Sequence, residues 1–215
     1  MAQLKVAVMA SGGGTNLQQL LDRFPSREDP SAAAEVVLVV SDRPGVGALE
    51  RAHKAGIRTE VIDPGHYESS SAFGRRLIEL CRAHSIGLIV LAGYLKMIPA
   101  ELIVKYRNRI INIHPALLPG FGGKGMYGRK VHEAVLAAGV KISGCTVHFV
   151  DELFDHGPII AQRTVPVFHT DTPESLAERV LVEEHRLLPE VVELIAAGRV
   201  EVADGIARVN SPDKT

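Results

Sequence analysis

The sequence has no tryptophan, two cysteines and an aromatic content of only 5%. Cys81 and Cys145 lie far apart in apolar surroundings, and no C-x-x-C pair occurs. Neither a disulfide framework nor a zinc knuckle is expected. No excess of basic charge is present either: 24 Lys and Arg face 25 Asp and Glu, a net charge of −1. Proteins that bind nucleic acid or anionic membranes usually carry a basic excess to neutralise phosphates, so neither partner is expected. No apolar run approaches the ~18 residues of a membrane span. The early apolar run Val6–Ala10 is too short for the core of a signal peptide. The expectation is a cytoplasmic protein. What is present is ordinary for a globular chain: 46% hydrophobic and 23% charged residues in 215 positions. That length corresponds to about 1.4 domains at roughly 150 residues each. A single domain over residues 1–210 with a flexible tail over 211–215 is the expectation.

Short β-rich runs alternate with helical stretches. Leu4–Ala10, Glu35–Ser41, Arg58–Ile62, Ile86–Ala92 and Arg109–Ile113 read as strands. Leu17–Phe24, Val46–Ala55, Tyr67–His84 and Ala100–Tyr106 read as helices between them. Val36–Val40 and Ile86–Leu91 are almost continuously apolar, as parallel strands covered on both faces are. The alternation predicts an α/β fold with a doubly wound, mostly parallel open sheet of Rossmann-like type. After Pro115 come a glycine-rich loop, a helix over Lys130–Ala138 and two strand runs, Lys141–Val150 and Ile159–Val167. A long helix follows from Thr172-Pro173-Glu174 to Ala197, with Thr172 as cap and Pro173 in the first turn. Pro189 inside it is expected to kink or split it. A small hairpin around Asp204-Gly205 closes the pattern.

Three constellations carry chemistry. Ser11-Gly12-Gly13-Gly14-Thr15-Asn16-Leu17 follows the first strand and opens a helix. Glycines allow close approach of an anion, and the N–H groups of the first helical turn bind it. The dinucleotide fingerprint G-x-G-x-x-G fails at its third glycine, which is Leu17, and Asp42 stands too far along for the ribose-binding acid. The loop therefore favours a mononucleotide or a sugar-phosphate over a nicotinamide cofactor, with a ligand-free strand-to-helix turn as the plainer reading.

The second constellation is Asn112-Ile113-His114-Pro115. Asn112 and His114 share one face of a strand, and Pro115 ends the ladder. Both polar groups thus lie at the strand's C-terminal end, where open parallel sheets bind ligands. A carboxamide beside an imidazole suits oxyanion stabilisation and proton transfer. The third is Asp155-His156-Gly157-Pro158. By itself it reads as a turn. As a partner of His114, Asp155 would orient the ring and support its imidazolium. Among the other histidines, His132-Glu133 fails the H-E-x-x-H zinc pattern at Leu136. Glu183-Glu184-His185 reads as a solvated helix face.

These motifs, in this order and spacing, resemble the folate-dependent glycinamide ribonucleotide formyltransferases of purine synthesis, from about Leu4 to about Val209. The segment Gly144–Gly157 is similar to that family's active-site signature, while N-I-H-P-x-L-L-P is shared among formyl-folate enzymes generally. The resemblance implies a metal-free formyl transfer from 10-formyltetrahydrofolate to the amine of glycinamide ribonucleotide. It implies Asn112, His114 and Asp155 as catalytic residues. Gly14, Thr15 and Asn16 match the substrate-phosphate loop, and Glu184 matches a ribose contact. Leu95, Lys96, Met97 and Ile98, with Val150, Asp151, Glu152, Leu153 and Phe154, match the segments around the pterin, where Asn112 also belongs.

Four features depart from the family's pattern: Gly13, Ser70, Phe154 and the loop Gly120–Tyr127. Small-molecule substrates are implied, no nicotinamide is, and a homodimer is a compatible assembly. The alternatives are a formyltetrahydrofolate hydrolase, disfavoured because the first strand starts at Leu4 and leaves no room for that family's regulatory domain, and a non-catalytic nucleotide-binding module.

Overall fold

The computed structural model describes residues 3–25 and 32–211. Of the tail expected over 211–215, residues 212–215 lie outside the described residues. The chain is an α/β protein built on a mostly parallel seven-stranded sheet flanked by helices. It divides into two compact units, Met1–Ile111 and Asn112–Thr215.

In the first unit β1 (Leu4–Met9) pairs in parallel with β2 (Ala34–Ser41) and β4 (Leu88–Leu91), and β2 pairs in parallel with β3 (Arg58–Val61). The apolar runs of β1, β2 and β4 are buried, as their composition requires. Helix α1 (Thr15–Arg23) turns Leu17, Leu20 and Leu21 inward, each contributing about 1.5–3 kcal/mol of burial. Helix α2 (Gly47–Lys54) packs on α1, β2 and β3. The helix expected from Tyr67 begins later, as α3 (Ser70–Ala83). Side-chain caps decide this. Asp63 accepts from Gly65 N at 2.9 Å and closes a 3₁₀ turn at Pro64–His66. Ser69 then accepts from Ala72 N at 3.1 Å and starts the true helix. Helix α4 (Ala100–Lys105) packs on α3.

Strand β5 (Ile110–His114) ends on His114, immediately before Pro115. In the second unit α5 (Arg129–Ala137) leads to β6 (Ile142–Phe149) and β7 (Ile159–Pro166), an antiparallel pair whose register shifts between Val147 and His148. Helix α6 (Pro173–Ala196) is capped by a reciprocal Thr172–Ser175 box. The expected split at Pro189 does not occur, and α6 runs as one element of 24 residues. Leu187, Leu188, Pro189, Val191 and Val192 are all buried, and α6 packs on α5, β6 and β7. Tertiary burial outweighs the loss of one backbone donor. The hairpin of β8 (Val200–Ala203) and β9 (Ile206–Val209) contacts β7.

The strand order is β3-β2-β1-β4-β5-β6-β7.

Candidate active site

Asn112, His114 and Asp155 converge within the second unit. His114 is buried at the end of β5. Its Nε2 lies 2.9 Å from the Phe121 carbonyl oxygen. A carbonyl can only accept, so Nε2 carries the hydrogen and Nδ1 has the lone pair in the neutral ring. That Nδ1 faces Asp155 Oδ2 at 3.6 Å, an ion-pair distance rather than a hydrogen bond. Asp155 is held independently: Gly123 N donates to its Oδ2 at 2.9 Å, and Asn112 Nδ2 reaches its Oδ1 at 3.4 Å. Asp155 adopts φ +53°, a left-handed conformation that Asp tolerates better than most residues. The neighbouring Gly157 is obligatory, because a Cβ there would run into the Phe149 carbonyl.

The electrostatics differ from the sequence expectation at one point. Asp155 was expected to keep His114 charged. Burial instead pushes the His114 pKa below its ordinary value, and this outweighs the upward pull of Asp155 and of the Phe121 carbonyl. The ring is therefore neutral near pH 7. For Asp155, burial raises the pKa, but His148, His114 and the Gly123 N–H oppose it, and the net shift is downward. The cluster is therefore a carboxylate beside a neutral imidazole whose open nitrogen faces it. A proton taken up at Nδ1 lands between Asp155 and a ring already tethered at Nε2.

Three partners of this cluster were not singled out in the sequence. His148 Nε2 accepts from Asn112 Nδ2 at 3.1 Å, and its Nδ1 donates to the Phe149 carbonyl at 2.8 Å. Phe121 and Gly123 supply the backbone groups already named, so the Gly120–Tyr127 loop serves the cluster through its main chain. A period-two signal was available for His148. Gly144, Thr146 and His148 alternate with Cys145, Val147 and Phe149 on β6. Thr146 stitches the segment after β5: Leu118 N donates to its Oγ1 at 3.1 Å and the hydroxyl donates to Ala116 O at 2.7 Å. Gln162 Nε2 joins both Thr146 Oγ1 and Leu118 O. A Cβ on Gly144 would strike the Arg163 carbonyl, so the glycine lets β7 approach there.

Within this unit the chain leaves β6 at Val150, bends at Glu152 and Leu153 and turns at Phe154 and Asp155. Asp151 accepts from Leu153 N at 2.9 Å and pairs with His156 at 2.7 Å. Leu153 and Phe154 are exposed, apolar surface that a flat ligand could cover. Glu184 is only 8% exposed, so the solvated-face reading fails for it. It lies near enough to Cys145 to help burial push that thiol up to about 12.

In the first unit Gly14 adopts φ +73° and forms the N-terminal boundary of α1, and no side chain caps the helix. The N–H groups of its first turn are thus the donors expected of an anion site. Asn16 is buried at this turn and Thr15 is exposed. Ser11 at the loop's start ties it to the stretch after β4: Ser11 N donates to Gly93 O and Leu95 N donates to Ser11 Oγ, each at 3.0 Å. Lys96 Nζ stands 3.7 Å from Asp42. Leu95 and Met97 are about half exposed, while Ile98 is buried. Among the described residues no group of three or more His, Cys, Asp or Glu could hold a metal ion.

Residues 4–192 match the family model described as formyl transferase. The chain belongs to the formyl transferase family. Within it, the chain is 46% identical over 198 residues to the phosphoribosylglycinamide formyltransferase, chloroplastic, of Arabidopsis thaliana, covering 92% of this chain and 67% of that protein. It is 44% identical to the trifunctional purine biosynthetic protein adenosine-3 of Gallus gallus, covering 94% of this chain and 19% of that protein. Among solved structures, glycinamide ribonucleotide transformylase 1 from Symbiobacterium toebii superposes with a TM-score of 0.89 at 41% identity, covering 97% of this chain and 95% of that one. The Asn112–His114–Asp155 cluster and the Gly12–Asn16 loop both fall inside the formyl transferase match. No helix among the described residues is long and apolar enough to cross a membrane.

Proposed function

We propose that this formyl transferase moves the formyl group of 10-formyltetrahydrofolate to the amine of phosphoribosylglycinamide, as a cytoplasmic single-domain enzyme spanning residues 1–210. The observation that carries the reading is the convergence of Asn112, His114 and Asp155 in a chain of this family.

The amine attacks the formyl carbon, and a tetrahedral intermediate forms with negative charge on the former formyl oxygen. Asn112 has two amide hydrogens. One is committed to His148 and the other makes only the long contact to Asp155. That second hydrogen turns to the oxyanion. Such a donor is worth about 3–4 kcal/mol in a preorganised site. The attacking nitrogen loses its proton to Nδ1 of neutral His114, and Asp155 stabilises the resulting imidazolium. The C–N10 bond then breaks, N10 takes a proton back, and tetrahydrofolate leaves. His148 is a positioning residue that fixes the direction of the Asn112 amide. Gly14, Thr15 and Asn16 hold the substrate phosphate, and Glu184 contacts its ribose. Leu95–Ile98 and Val150–Phe154 cradle the pterin, with the exposed side chains of Leu95, Met97, Leu153 and Phe154 as its apolar contacts. The substrates are small molecules, and neither a metal nor a nicotinamide takes part.

The test is product release from 10-formyltetrahydrofolate with and without phosphoribosylglycinamide. Release of tetrahydrofolate that depends on the amine supports the transferase. Equal release in water alone identifies a hydrolase and overturns the reading.

A further inference from the structure

Helix α2 carries Arg51, a residue that no motif above assigns. Its Nε donates to the carbonyl oxygen of Gly13 at 2.9 Å. Its Nη1 donates to Gln18 Oε1 on α1 at 3.0 Å, and Gln18 Nε2 in turn donates to Asp22 at 2.8 Å. The guanidinium is thus fixed at two points and presents Nε to the middle of the glycine loop. One residue earlier in the loop, Ala48 N donates to Gly12 O at 3.0 Å. Two consecutive loop carbonyls therefore point at α2.

A trans peptide unit is planar, with its C=O and the next N–H on opposite sides. Pinning the Gly12 carbonyl to Ala48 turns the Gly13 N–H away from α2. Pinning the Gly13 carbonyl to Arg51 turns the Gly14 N–H away in the same manner. The packing leaves little room for another arrangement. A Cβ on Gly47 would sit 2.9 Å from Gly13 O, and one on Gly14 would sit 2.7 Å from the Ala48 Cα. Glycines have few intrinsic conformational preferences, so three in succession need an external constraint to hold one geometry.

We infer that Arg51 is a positioning residue for phosphate recognition: by fixing the Gly13 carbonyl it aims the Gly14 N–H at the substrate's phosphate. This rests on the reading of Gly14–Asn16 as the phosphate site. Arg51 touches the loop from the side of α2 and acts through the backbone, so its loss should affect binding of the phosphorylated substrate and leave the chemical step alone.

Arg51→Met and Arg51→Lys should be compared with wild type on phosphoribosylglycinamide and on its dephosphorylated counterpart, with melting temperature measured alongside. Wild type is expected to prefer the phosphorylated substrate strongly. Arg51→Met should raise KM for that substrate about tenfold or more, keep kcat within about twofold, and leave KM for the dephosphorylated substrate unchanged. Arg51→Lys, which keeps one donor for the Gly13 carbonyl, should recover part of the loss. An unchanged KM for the phosphorylated substrate, in an enzyme that still prefers it, overturns the role of Arg51 while the loop reading stands. An equal rise for both substrates with a lowered melting temperature assigns Arg51 to fold stability and also overturns it. If wild type shows no preference for the phosphorylated substrate, the loop reading itself fails, and the role of Arg51 falls with it.

Discussion

His114 Nδ1 and Asp155 Oδ2 face each other at 3.6 Å while each is anchored elsewhere, His114 to the Phe121 carbonyl and Asp155 to the Gly123 N–H. The two groups are held in reach without being bonded to one another. A neutral ring and a carboxylate gain little from such a separation. An imidazolium and a carboxylate gain a great deal. The pair is therefore arranged for a charge that appears during the reaction.

The first prediction follows from that pair. Asp155→Asn keeps the shape and removes the counter-charge. It should lower kcat by about a hundredfold, roughly 2.7 kcal/mol of transition-state stabilisation, with little change in KM. Burial already lowers the His114 pKa against the pull of Asp155, so the variant should lower it further. Histidine NMR titration of wild type and variant reads this directly. A near wild-type kcat would return Asp155 to the role of a turn residue.

A second prediction concerns His148. His148→Phe keeps a buried ring and removes both the acceptor that orients the Asn112 amide and the nitrogen 3.7 Å from Asp155 Oδ1. We expect kcat to drop about tenfold or more, while folate-analogue affinity stays close to wild type. Steady-state kinetics with a parallel binding titration separates the two. Undiminished turnover would show that Asn112 is oriented without His148.

The third prediction tests the stitching of the second unit. Thr146→Val keeps the volume and deletes a hydroxyl that serves Leu118 N, Ala116 O and Gln162. Gln162 keeps Leu118 O, so Leu118 N and Ala116 O are the two groups left unpaired; at about 1–3 kcal/mol each, urea unfolding should show a loss of about 2–6 kcal/mol. Thr146→Ser should recover most of it.

The fourth concerns pH. Burial lowers the pKa of His114, His132 and His185 below the usual 6.5. Below that value the unfolded chain takes up protons that the folded chain refuses, so stability falls as pH drops. Each proton contributes a slope of about 1.4 kcal/mol per pH unit. The depressed carboxylates Asp155 and Asp171 continue the loss as pH falls below their unfolded value near 3.8. Melting temperature should be flat between about pH 7 and pH 8 and fall below about pH 6.5, and the two buried thiols should lower it again above about pH 9, the value of an unburied thiol. His132→Leu removes a buried ring whose Nδ1 has no hydrogen-bond partner among the described residues and should shallow the acid slope. An unchanged slope would remove His132 from this account.

Much of this was readable in the residues. The continuous apolar runs of β2 and β4 announced buried parallel strands, and Asn112 and His114 shared a strand face by simple alternation. Pro115 marked the end of that strand. Other features depend on contacts between distant segments. Asp155 meets Asn112 across 43 positions, and the approach follows a register shift at Val147/His148 that no local pattern announces. The neutrality of His114 is a balance of burial against Asp155 and the Phe121 carbonyl, and only the folded surroundings decide it. Pro189 and Glu184 mislead for the same reason: local rules put a break and a solvated face where packing puts neither.

The two cysteines acquire a use from their placement. Cys81 lies in α3 of the first unit and Cys145 in β6 of the second, both buried, with thiols pushed up to about 12. A thiolate is the reactive species, so neither reacts with an alkylating reagent at neutral pH until its surroundings open. The natural chain thus carries one silent reporter in each unit. The rate at which each thiol becomes labelled measures the opening of its own surroundings, and peptide mapping resolves the two without any engineered residue.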